Sequence, residues 1–454
     1  MRILIDSGSY HCLNVGDVAM LQAGIERLRG LWPGASIAIV TNSPDALALH
    51  CPGAEPVPLA GRVALLSDRF FGRADRRLPA RLRSGLDALQ NHMRRRWPAL
   101  LAAMIAGKRA LALRGDFWAA PAYVRAMKRA DLVVATGAGV FTDSFVENAT
   151  GVLETLEFAV RRNVPAAAFG QGIGPVTNPA LRQRMSEVLP RLDLIGLRER
   201  RESVRLLEAI GVDPARTTVT GDDAIEMANR VAPPAIGGAI GVNVRVATYA
   251  GVGGSAIDVI RPALQRAANR VGAPLVALPI AHHPDCHDGT AIRELLSGSG
   301  DTSAPLVGLD TPAKAIAEVS RCRVVVTGSY HAAVFALAQG ISVVAIAATQ
   351  YYLDKFFGLA EIFGGGCQTV VLDAPGASAE LEAAIVAGWM DAPERRQLLL
   401  RAADTQIERA IAAYRILGGM IGRTGTRTDP RHAGTVGYVR IADQVNAQPP
   451  AAGV

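Results

Sequence analysis

The stretch Val324-Val325-Val326-Thr327-Gly328-Ser329-Tyr330-His331-Ala332-Ala333-Val334-Phe335-Ala336-Leu337 sets the fold class. A β-branched run stops at Thr327-Gly328, and an amphipathic helix pattern starts straight after it. Ser329, Tyr330 and His331 therefore fall at a strand-to-helix turn. In open α/β sheets, ligands bind at the carboxyl ends of strands. A helix N-terminus there offers N–H groups and a positive dipole end to an anion. His331 in that turn can donate a proton to a bound anion or contact it. It can also simply cap the helix.

Similar units recur on both sides of this stretch. Residues 2–5 read as a first strand, 7–17 as a glycine-containing loop, and Ala19, Leu21, Ile25 and Leu28 as the apolar face of a helix. A second strand follows at 35–40. The loop lacks G-x-G-x-x-G and the Walker pattern, so no dinucleotide or ATP site is indicated. Asp17, at the helix start, suits either N-capping or catalysis. Strands at 130–135, 165–169, 193–197 and 217–220 run into Gly139, Gly172, Arg198 and Asp222. A Pro/Gly-rich linker spans 231–238, and a second α/β series begins at 239. The reading is an α/β chain with domains at 1–230 and 231–420, the latter closed by helical sequence from 379 to 417. A loose tail occupies 421–454. Residues 62–114 break the rhythm as an Arg- and Leu-rich helical insertion.

At 454 residues, with 50% hydrophobic and 20% charged content, the chain can bury two large cores. The net charge of +7 is partly local, in Arg73, Arg76, Arg77, Arg81, Arg83, Arg94, Arg95 and Arg96. That segment (Arg73 to Arg96) suits an anionic membrane face, a polyanionic acceptor or a solvated helix. Aromatic interleaving and nucleic-acid motifs are missing, so no nucleic-acid partner is expected. Five scattered cysteines without a C-x-x-C pair argue against a disulfide framework and point to a reducing compartment. The start is too quickly polar for a signal peptide, and the apolar stretch 99–113 is too short to span a bilayer. The expected location is cytoplasmic, with peripheral contact at the inner membrane face. His282, His283, Asp285, His287 and Asp288 crowd one loop. Their spacing fits no standard ligand pattern, so a polar substrate-facing loop is expected rather than a metal.

In order along the chain stand Asn14-Val15-Gly16-Asp17, Thr136-Gly137-Ala138-Gly139, Gly172-Ile173-Gly174-Pro175 and Leu197-Arg198-Glu199 with Ser203 and Leu207. Asp222-Asp223-Ala224, Thr327-Gly328-Ser329-Tyr330-His331-Ala332 and Lys355 follow. With this order and spacing the chain resembles the polysaccharide pyruvyl transferases. The family's Arg-Leu-His motif is matched by Ser329-Tyr330-His331 only at the histidine. The resemblance implies two Rossmann-like domains facing across a cleft, similar to the glycosyltransferase B fold, with the first domain on the acceptor side and the second on the donor side. It implies transfer from phosphoenolpyruvate to two hydroxyls of a sugar acceptor, in polymeric or lipid-linked form, to give a ketal. No cofactor or metal is needed for that scheme.

The chemistry then assigns roles. The carboxylate and phosphate of phosphoenolpyruvate call for sheltered cations, which Arg198 and Lys355 supply. Ser329, Tyr330 and Gly139 line the donor side, with helix N-termini expected at Gly139 and Ser329. His331 is the expected acid or leaving-phosphate contact, and Asp17 the expected base. Asn14, Gly16 and Asp17 are expected to meet the acceptor. Two alternatives stand beside this reading. One is a nucleotide-sugar glycosyltransferase of similar fold, using Asp285 and Asp288 at a ribose. The other is a non-catalytic binding protein. None of these residues sets an oligomeric state.

Overall fold

The computed structural model describes residues 1–68, 79–137, 139–245, 254–284, 287–297 and 308–422. The tail beyond 422 and Arg73, Arg76 and Arg77 thus lie outside the described residues, while Ile421, expected in the tail, ends the last helix. The first sheet contains β1 (Arg2–Asp6), β2 (Ser36–Thr41), β3 (Glu55–Pro58), β4 (Leu132–Ala135), β5 (Ala166–Gln171), β6 (Leu194–Leu197) and β7 (Thr217–Val219). The second contains β8 (Ala239–Asn243), β9 (Leu275–Ala277), β10 (Cys322–Thr327), β11 (Ser342–Ala347) and β12 (Cys367–Val371). Their orders are β3-β2-β1-β4-β5-β6-β7 and β12-β11-β10-β8-β9, and every pairing is parallel. Helices cover both faces, so the central strands are apolar at nearly every position rather than alternating. β11, for example, is buried throughout.

Chain order reverses between β1 and β4 in one sheet and between β8 and β10 in the other. Ligand crevices form at such reversals. The loops after β1, β4, β8 and β10 are therefore the ones the topology brings to a shared cleft. The two halves are stitched there. Asn14 bridges Ala281, Val15 N donates to Ile280 O at 3.0 Å, and His282 N donates to Leu13 O at 2.7 Å.

The sequence pattern needs three corrections. The helix Tyr330–Ala338, expected to be amphipathic, is buried at every residue. It is enclosed because it packs on β10 and β11 and on five helices, 15–31, 224–229, 312–319, 350–362 and 392–421. The helical region from 379 is two helices, Ala377–Met390 and Ala392–Ile421, broken at Asp391 just before Pro393. Asn14, not Asp17, caps the helix Val15–Leu31, accepting from Gly16 N at 2.9 Å and Asp17 N at 3.3 Å.

The helix Ala392–Ile421 starts against the second sheet and ends in the core of the first. Ala413, Tyr414, Leu417 and Ile421 join Ile3, Ile5 and Phe169 there. Tyr414 stacks on Phe169 with centroids 3.9 Å apart and donates to Asp223 Oδ2 at 3.3 Å. Asp223 and Glu226 in turn hold Arg27. Tyr414→Ala is expected to lower the unfolding free energy by about 3–5 kcal/mol. Tyr414→Phe keeps the stack and is expected to cost only about 1 kcal/mol. Chemical denaturation of both variants measures the difference.

Candidate active site

A cleft of about 420 Å³ lies between the two sheets. Of the residues singled out in the sequence, Asn14, Asp17, Arg198, Ser329, Tyr330, His331 and Lys355 all line it. These positions span most of the chain, and the topology alone gathers them.

Arg198 follows β6 and is 3% exposed. Its Nε donates to Gly170 O at 2.6 Å and its Nη2 to Gly137 O at 2.9 Å. A Cβ on Gly137 would stand 1.8 Å from Gly170 O. Only glycine lets β4 and β5 end close enough to offer both carbonyls to one guanidinium. Asp222 Oδ2 lies 3.1 Å from Arg198 Nε. Burial pushes the Asp222 carboxyl up, but Arg198 and His331 outweigh burial and hold it below the usual carboxylate range.

His331 sits between two carboxylates. Its Nδ1 is 3.9 Å from Asp17 Oδ1 and its Nε2 is 3.7 Å from Asp222 Oδ2. These are ion-pair distances rather than hydrogen bonds, and among the described residues His331 Nε2 and Asp222 Oδ2 are both buried without a hydrogen-bond partner. Gly16 lies behind this ring rather than on the cleft wall. A Cβ there would meet the ring at 2.0 Å.

Lys355, from the helix Gln350–Ile362, donates to the Tyr351 hydroxyl. Its ammonium is 4.0 Å from the Tyr351 ring centroid and 5.8 Å from that of Tyr330. Burial and then Arg198 push it down to about 7, against the pull of Asp17 and Asp222. Gly139 faces both cations: a Cβ on it would stand 3.4 Å from Lys355 Nζ and 3.7 Å from Arg198 Nη1. No helix starts at Gly139, which is a correction. Its φ is +61°, and the next helix is Val146–Arg161, preceded by a single 3-10 turn at Asp143–Phe145. Ser329 does precede a helix, whose first-turn N–H groups lack intrahelical acceptors.

Sequence reasoning missed Arg245, a third cation on the cleft. Its Nη1 pairs with Asp288 Oδ1 at 3.0 Å. The signal was available: Arg245 follows β8 much as Arg198 follows β6. Asp288 is fully buried, and its other oxygen accepts from Asn243 Nδ2, Ile280 N and Ala281 N at 2.9–3.0 Å. It is therefore spent inside the protein and cannot face a ribose. Asp285 lies outside the described residues. His282 and His287 bind each other and backbone, leaving His283 on the cleft. Among the described residues no three His, Cys, Asp or Glu side chains are grouped to hold a metal.

The fold is that of the B-type glycosyltransferases and related epimerases. A structure assigned as a UDP-N-acetylglucosamine 2-epimerase from Listeria monocytogenes aligns with TM-score 0.52 at 14% identity, covering 92% of this chain and 94% of that one. The UDP-GlcNAc 2-epimerase from Neisseria meningitidis, bound to UDP-GlcNAc, gives 0.51 at 13% identity over 92% and 98%. The kitacinnamycin glycotransferase gives 0.50 at 13% identity over 92% and 98%. No curated protein matches the chain in sequence. The model of the polysaccharide pyruvyl transferases matches residues 14–349, and the chain belongs to that transferase family.

Gly16→Ala forces a methyl group against the His331 ring and is expected to cost about 1–3 kcal/mol. Gly107→Ala is its control. No atom stands within 4 Å of a Cβ there, in the interior of the helix Pro98–Leu111, and a gain of about 0.4–1 kcal/mol is expected. Thermal denaturation of the two variants measures both signs.

Proposed function

We propose that the cleft transfers the enolpyruvate-derived group of phosphoenolpyruvate onto two hydroxyls of a sugar, in a polysaccharide or a lipid-linked glycan, closing a pyruvate ketal. The observation that carries this reading is the convergence of Arg198, Arg245 and Lys355 on one small cleft beside His331. Three cations suit a small molecule bearing both a carboxylate and a phosphate. The family match supports the same reading. Where the family carries arginine, this chain has Ser329. Arg245 lines the same cleft as Ser329. In this reading its guanidinium supplies the charge that position 329 lacks.

The reaction needs a proton on the methylene carbon of phosphoenolpyruvate, which leaves an oxocarbenium-like centre at C2. A sugar hydroxyl attacks C2 and loses its proton. The C2–O bond to phosphate then breaks with its electron pair going to phosphate, and a second hydroxyl attacks C2 to close the ketal, its proton leaving with the inorganic phosphate. His331 donates the proton or steadies the departing phosphate, and Asp17, on the cleft side of the ring, takes the hydroxyl proton. The cations neutralise the donor's charge in a sheltered site, where such pairing is strong.

Phosphate release from phosphoenolpyruvate, measured with a panel of p-nitrophenyl glycosides, tests the reading. Release is expected to require an acceptor and to fall roughly 100- to 10,000-fold in His331→Ala. Thermal stabilisation by a nucleotide-sugar, with none by phosphoenolpyruvate, would instead favour a glycosyltransferase.

Lys355 gives a pH test. Burial, then Arg198, pushes its ammonium down to about 7, and a bound anion favours the charged form and raises that value. Above pH 7, binding therefore takes up a proton. Phosphate's second ionisation, near 6, is then complete. Phosphoenolpyruvate affinity is expected to weaken by up to about tenfold per pH unit above 7. Lys355→Arg, which stays charged, is expected to flatten that slope in calorimetric titrations.

A further inference from the structure

We propose that the helical insertion of the first domain is a docking surface for an anionic lipid bilayer. This goes beyond the reaction and does not depend on it. Among the described residues, nine of the fifteen exposed large apolar side chains lie between residues 79 and 118. Such crowding on one element marks an interaction surface, whereas scattered exposure does not.

The helix Pro98–Leu111 is apolar on two sides. Its inner stripe, Leu101, Ala102 and Ile105, is buried against the helices Leu59–Ser67 and Ala119–Arg129. Its outer stripe holds Leu100, Met104 and Leu111, at 52%, 45% and 89% exposure. Small residues lie between them, and no exposed residue of this helix is charged. An apolar helix with one side uncovered calls for another apolar medium. Trp97 and Trp118 flank it, 51% and 53% exposed, as amphipathic rings do at a lipid–water boundary.

Charge identifies that medium. Residues 79–118 hold eight Lys and Arg against two Asp. One of those, Asp116, is spent on buried Arg109. Arg81, Arg95, Arg96 and Arg114 are exposed on the same segment as the apolar stripe. A basic segment that also exposes apolar side chains complements an anionic membrane. No helix among the described residues is long and apolar enough to cross one, so the element lies on the surface. The neighbouring helix Leu59–Ser67 contributes Leu59, Arg62 and Val63 to the cleft. Docking would therefore bring the bilayer to an element whose packing partner forms part of the cleft wall.

Vesicle sedimentation without any substrate tests the proposal, using vesicles of equal phosphatidylglycerol and phosphatidylcholine against phosphatidylcholine alone. The full chain is expected to bind the anionic vesicles at least about tenfold more tightly, with a blue shift of tryptophan emission. Leu100→Ser/Met104→Ser/Leu111→Ser and Arg95→Glu/Arg96→Glu are each expected to weaken binding about tenfold or more. Both variants are expected to keep their melting temperature and their turnover of a soluble acceptor, which separates this test from that of the reaction. The proposal is overturned if the full chain stays in the supernatant, or if both variants bind as it does. It is also overturned if dextran sulfate binds equally with no emission change, or if light scattering shows a dimer that the apolar substitutions dissociate.

Discussion

A guanidinium enclosed by protein needs its charge answered, and in this chain the answer organises the whole site. Arg198 is held by Asp222 at 3.1 Å and by the carbonyls of Gly137 and Gly170. Removing one partner of such a pair leaves a buried charge unmatched, at a cost of about 3–5 kcal/mol. The arrangement ties the ends of β4, β5 and β6 to the segment after β7. Asp222 also stands behind His331, so the same carboxylate that balances Arg198 fixes the environment of the ring.

The second domain meets that frame by close approach. Gly16 clears space for His331, and Gly358 lets the helix carrying Lys355 lie against Glu199, where a Cβ would be 2.7 Å from the glutamate's own. Glu199 meanwhile accepts from the N–H groups of Glu202 and Ser203 at the helix following Arg198. The residue beside Arg198 thus fixes the local backbone while Arg198 reaches the cleft. Lys355 completes the set as a cation whose charge is disfavoured by burial first and then by Arg198.

The sequence carried much of this in its strand ends. The run from Val324 to Leu337, the repeated strand-to-glycine transitions and the linker near 231 were enough for the two α/β series, and with the family resemblance they pointed to seven of the cleft residues. β3 was not among the expected strands, and its Pro56 and Pro58 are residues that sheets seldom hold away from an edge. The structure tolerates them at a sheet edge, where fewer ladder bonds are lost. The buried character of the helix Tyr330–Ala338 was hidden as well, since periodicity cannot count how many partners a helix has. Asp288 looked like a ligand contact in a histidine-rich loop, but only the fold shows Arg245 and three N–H groups consuming it. Arg245 itself was legible by the rule that found Arg198, and was passed over because no motif marked it.

The most direct measurement follows the carbon. Phosphoenolpyruvate labelled with carbon-13 at C2 is incubated with the protein and its acceptor, and the product is read by nuclear magnetic resonance. The account requires the label to appear as a quaternary ketal carbon bearing the methyl group, the carboxylate and two sugar oxygens. Label that ends as free pyruvate, or as an enol ether still carrying its methylene, would contradict it.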